Sequence, residues 1–134
     1  MSQLDSAPSP STGLDVRRFR QIHLVAARLL VGAVLAQIGL GVIALPIHEW
    51  TGTVVGLVSL IVAVAAVRGR FTSSTVGLSI AALVLVALQG ILIALADTIP
   101  ALGIIHLIDG FVIFGIAIVV AIESEDEGQV EDLR

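Results

Sequence analysis

Four apolar blocks of roughly 20 residues each, set apart by short polar or proline-bearing stretches, leave this chain few folds to choose from. At ~1.5 Å per residue, a helix of that length spans the ~30 Å hydrocarbon core of a bilayer. The blocks are continuous and lack the period-two alternation of barrel strands. The pattern predicts helices over 22–45, 47–67, 75–96 and 101–122, with Pro46 breaking the first from the second. The expected fold is all-α: a transmembrane four-helix bundle made of two tandem helical hairpins.

The charges agree with that reading. Only 13% of residues are charged, against about 25% in a soluble domain. Between Arg28 and Glu123 the charged residues are Glu49, Arg68, Arg70, Asp97 and Asp109 alone. Residues 1–20, rich in Ser, Pro and Asp, are expected to be a disordered cytoplasmic segment, and 21–122 to be the membrane domain. Residues 123–134 are expected to form an acidic cytoplasmic tail, mobile and dispensable for assembly. The first apolar block is longer than a signal-peptide core of about 7–15 residues, so it reads as a retained helix. Without cysteine there are no disulfides, iron–sulfur clusters or thiolate zinc sites. The net charge of −4 argues against a nucleic-acid partner.

Orientation follows from the arginines. In a pair of hairpins, Arg17, Arg18, Arg20, Arg28, Arg68, Arg70 and Arg134 fall at or near one side. The opposite connections, 46–50 and 97–100, carry no positive charge. The positive-inside rule then expects a multi-pass protein of the cell membrane with both termini and the 68–74 loop in the cytoplasm. Trp50, the single tryptophan, falls at the opposite boundary, where an amphipathic indole is expected.

The two hairpins carry matching polar marks. Gln37 and Gln89 occupy the outer halves of helices 1 and 3. His48 opens helix 2, His106 lies near the start of helix 4, and a glycine follows each at the fourth residue, Gly52 and Gly110. Two imidazoles facing each other across a bundle interior are the usual ligands of a six-coordinate b-type haem. A glycine at i+4 shares the histidine's face and leaves room for a flat macrocycle. The competing reading is packing, because glycines at four-residue spacing also bring membrane helices together, and Gly52-x-x-x-Gly56 is itself such a motif. Gln37 and Gln89 would hydrogen-bond a ligand histidine, a propionate or a quinone, or else bond helix to helix.

Asp109 follows His106 by three residues and shares its face, where it would orient a ligand or a propionate-side water network. Glu49 and Asp97 read as solvated loop charges. His23 has no second inner histidine to pair with and reads as an interfacial residue. Arg28 is expected to snorkel to lipid phosphates, the alternative being an anionic group inside the bundle.

Over about residues 20–122 the chain resembles a family of small, uncharacterised four-helix membrane proteins. The resemblance rests on Leu35-Ala36-Gln37, His48-Glu49-Trp50-Thr51-Gly52, Leu88-Gln89 and His106-Leu107-Ile108-Asp109-Gly110. The layout is similar to one half of haem A synthase and, more loosely, to cytochrome b561-type bundles. In haem A synthase the histidines come in more pairs, so the resemblance implies a haem site at His48 and His106 and no particular reaction. Expected partners are the lipid bilayer and a quinone or redox protein.

Two readings follow. The first is a b-type haem protein of electron transfer or haem handling; the second is a cofactor-free structural or regulatory subunit. A small transporter fits less well, because no acidic residue lies near the bilayer midplane and helices 2 and 4 have no central break.

Overall fold

A computed structural model describes residues 10–43, 45–96 and 98–132, with side chains described over 13–41, 47–96 and 98–129. It contains four α-helices: α1 (Pro10–Ile43), α2 (Leu45–Arg68), α3 (Ser73–Ala96) and α4 (Ala101–Asp132). They run up, down, up, down. Each packs on its neighbour in sequence and α4 closes on α1, so α1 faces α3, and α2 faces α4, across the two diagonals. The termini and the α2–α3 turn gather at one end, called here the terminal end. The other, distal, end carries the α1–α2 and α3–α4 connections.

All four helices contain stretches long and apolar enough to cross a membrane: Gly13–Gly41, Ile47–Arg68, Ser73–Ala96 and Ala101–Gln129. Their outward faces are apolar too. Leu29, Leu57, Ile61, Val84, Ile91, Phe111 and Val112 are exposed, which water would not tolerate over such an area but lipid does. The chain is a multi-pass membrane protein. Its core is built from small and branched side chains: Ala26, Ala27, Leu30 and Val34 of α1, Val55 and Val62 of α2, and Ile113, Ala117 and Val120 of α4. Hydrocarbon gives no hydrophobic drive to pair helices, so close packing of such residues holds the bundle instead.

Two boundaries differ from the sequence expectation. Residues 10–20 continue α1 as helix, whereas residues 1–9 of the segment expected to be disordered lie outside the described residues. The acidic segment likewise continues α4 through Asp132, and residues 133–134 lie outside the description. No helix breaker intervenes after Ile122, and the carboxylates find partners. Glu127 accepts from Thr72 N (3.1 Å) and Thr72 Oγ1 (2.8 Å), Glu123 accepts from Ser74 Oγ (3.2 Å), and the single Thr75 hydroxyl hydrogen is shared between Glu127 (2.6 Å) and Glu123 (2.9 Å). Thr72 Oγ1 also receives Thr75 N, as an N-cap of α3 does. Two carboxylates thus sit where the α3 dipole and its free N–H groups favour negative charge.

Pro46 falls in the first turn of α2, where a missing N–H costs nothing. At the other end of α2, Gly69 is required by close approach: a Cβ there would lie 2.8 Å from the Ala65 carbonyl and 2.9 Å from the Phe71 ring. The left-handed turn itself is made by Arg70, at φ 54°.

Candidate functional site

At the distal end the structure brings together Gln37, His48, Thr51 and Gly52 from the first hairpin and Gln89, His106, Asp109 and Gly110 from the second. His48 and His106 stand on the diagonally opposed helices α2 and α4, with ring centroids 5.9 Å apart and planes at 72°.

Each glutamine does the same work. Gln37 Nε2 donates to the His48 carbonyl (2.7 Å), and Gln89 Nε2 donates to the His106 carbonyl (2.8 Å). A carbonyl within a helix already accepts from the residue four ahead, so each amide uses its second lone pair and bolts one helix of a hairpin to the other. The glycines answer to these amides. A Cβ on Gly52 would lie 3.2 Å from Gln37 Nε2, and one on Gly110 would lie 3.6 Å from Gln89 Nε2. Their clearance was expected to face a macrocycle; the nearest atoms are instead the glutamine side chains.

The two imidazoles are held differently. His48 Nδ1 lies 3.0 Å from the Gln37 carbonyl oxygen. A carbonyl can only accept, so Nδ1 carries the hydrogen and the neutral ring presents Nε2 as a lone pair. Gly41 makes this possible, because a Cβ there would lie 3.2 Å from the ring. Sequence reasoning missed Gly41; its signal is a glycine one helical turn after Gln37. Thr51 was missed as well. Its hydroxyl donates to Gln37 Oε1 and orients the amide. In the second hairpin, His106 Nδ1 and Asp109 Oδ2 are both buried and both without a hydrogen-bond partner. Asp109 as a residue is only 8% exposed.

Glu49 and Trp50 are exposed, the indole at 79%. Asp97 lies outside the described residues. Arg28 pairs with Glu125 (2.9 Å) at the exposed edge between α1 and α4, a protein partner in place of the lipid phosphate expected for it.

His23 is the clear correction. It is wholly buried at the terminal end, not interfacial. Its Nδ1 lies 3.0 Å from Ser124 Oγ of α4 and its Nε2 3.3 Å from Ser79 Oγ of α3, and Phe71 covers the ring at 4.3 Å. Phe71 is covered in turn by the Arg20 guanidinium at 5.0 Å, which also donates from Nε to the Gly69 carbonyl (3.0 Å).

Chemically, the distal cluster offers two facing imidazoles and one buried carboxylate. Among the described residues no three of His, Cys, Asp and Glu come together as a metal-ion site. A haem carries its own four equatorial nitrogens and asks the protein for two axial ligands, which is what His48 and His106 can offer. No family model, curated protein or solved structure matches this chain.

Proposed function

We propose that the protein binds a b-type haem between α2 and α4, with His48 and His106 as axial ligands, and serves electron transfer or haem handling in the membrane. One observation carries the reading: the two imidazoles face each other across a bundle diagonal with centroids 5.9 Å apart. Two ring nitrogens each ~2 Å from one iron, with ring centres about 1 Å further back, would put the centroids roughly 6 Å apart. The fixed tautomer of His48 adds support, since Nδ1–H on the Gln37 carbonyl leaves Nε2 free to ligate. When bound, haem b would pass one electron at a time by cycling between ferric and ferrous iron.

The chain's own part is to hold ring positions. Gln37 and Gln89 fix the starts of α2 and α4 through the histidines' own carbonyls, so neither imidazole can drift along its helix axis. We place the termini and the 68–74 turn in the cytoplasm, on the distribution of arginine, which sets the haem toward the outer side. A quinone or a redox protein would be the electron partner there. The cofactor-free reading is favoured by one contact, the glycines packing on glutamine amides.

An optical spectrum of purified protein titrated with haemin decides between the two. A low-spin Soret band saturating at one haem per chain is expected, and His48→Ala and His106→Ala should each abolish it. A wild-type protein that gives no such band is the cofactor-free subunit.

A further inference from the structure

Laying one hairpin on the other, residue for residue, exposes where they differ. Gln37 matches Gln89, His48 matches His106 and Gly52 matches Gly110, so Thr51 falls opposite Asp109. In the first hairpin the partners are neutral and two bonds are closed: His48 Nδ1 on the Gln37 carbonyl, and the Thr51 hydroxyl on the Gln37 amide oxygen. The second hairpin puts a carboxylate in the threonine's place; the Gln89 backbone stands beside the His106 ring and the Gln89 amide beside the carboxylate, yet neither closes a hydrogen bond on His106 Nδ1 or Asp109 Oδ2. Two buried atoms are left over, His106 Nδ1 and Asp109 Oδ2.

Buried polar atoms without partners are rare, because each forfeits its bonds to water. These two are chemically complementary. A histidine that ligates through Nε2 carries a hydrogen on Nδ1, and a carboxylate oxygen is the strongest acceptor a protein has for it. At i and i+3 on α4 they are neighbours on one face. We propose that Asp109 is a positioning residue for His106: it accepts the Nδ1–H bond when His106 presents Nε2 to iron, and so makes this axial ligand more anionic than His48. The inference rests on the haem reading above and adds to it that the two ligands are unequal. A histidine backed by a carboxylate donates more electron density to the metal than one backed by a peptide carbonyl. The ferric state is thereby favoured and the midpoint potential lowered.

The test uses the haem-loaded full-length protein as wild type, D109N and E125Q, read by optical spectrum, redox titration and ferric EPR. D109N is expected to keep a low-spin Soret band, to shift the potential upward, and to move the EPR g-values toward those of two neutral imidazoles. E125Q, which removes a carboxylate of the same helix at the terminal end, where it pairs with Arg28, should change neither potential nor g-values. If D109N loses haem, D109E decides: recovery of haem with wild-type g-values supports the proposal, and no recovery overturns it. D109N with wild-type potential and g-values overturns it while leaving the haem site standing, as does a raised potential with unchanged g-values. A wild type without a Soret band removes both the haem reading and this inference.

Discussion

His23 holds three helices together with one ring. A neutral imidazole has one N–H and one lone pair, so one of Ser79 and Ser124 receives a hydrogen from it and the other gives one. Each serine also reaches the carbonyl four residues back, Thr75 or Val120. The serine that turns to donate to the ring leaves a carbonyl that keeps its helical N–H. Both ring nitrogens are then satisfied without charge in a site with no exposure. His23→Ala should therefore destabilise the bundle by about 2–4 kcal/mol, from the cavity under Phe71 and two serines stripped of a partner. Thermal or denaturant unfolding in detergent checks it. The haem spectrum of any folded H23A protein should equal wild type, because His23 lies at the opposite end of the bundle. His23 was illegible in the sequence because its partners are 56 and 101 residues away; Ser79 and Ser124 look like ordinary helix-surface residues until the diagonal and α4 bring them in. His48 and His106 were legible because each carries a glycine and a glutamine that recur in the other hairpin.

At the scale of the elements, hydropathy gave the number, order and apolar extent of the helices, since crossing a bilayer demands an uninterrupted run. It could not give their ends. Helix propagates into polar sequence wherever nothing stops it and a partner waits, and α4 runs past Ile122 because Glu123 and Glu127 reach the start of α3. The segment that composition marks as a mobile tail is thus the cap of another helix. Glu127→Ala removes the acceptor for Thr72 N and for two threonine hydroxyls, and should cost about 1–2 kcal/mol, the size of a lost N-cap. Hydrogen exchange should show it locally: amides in the first turn of α3 should open faster in E127A, while those of α1 facing it across the bundle stay protected. Deleting 123–134 should give a larger effect of the same kind. An unchanged exchange pattern in the deletion would mean that α3 caps itself through Thr72 alone.

For the molecule as a whole, charge divides the two ends. Arg17, Arg18, Arg20, Arg68 and Arg70 belong to the terminal end, and Arg28 lies toward it; the described part of the distal end has no basic residue other than histidine. The acidic residues of α4 share the terminal end, but Asp and Glu contribute little to orientation, so they do not cancel the arginines. The loops concerned are short, the regime in which the rule holds. A reporter that folds only in the cytoplasm, fused after Arg134, should be active, and one that needs export should be silent. The argument also predicts what moves the balance. Replacing Arg17, Arg18, Arg20, Arg68 and Arg70 with Gln while placing arginines at Glu49 and Thr98 leaves the 68–74 turn without arginine and gives each distal connection one, and should send a fraction of the chains in inverted. The same fusion then reports on both populations. If the wild-type fusion after Arg134 were active only outside the cell, the distal imidazoles would lie toward the cytoplasm, and any electron partner of the proposed haem would have to be sought on that side.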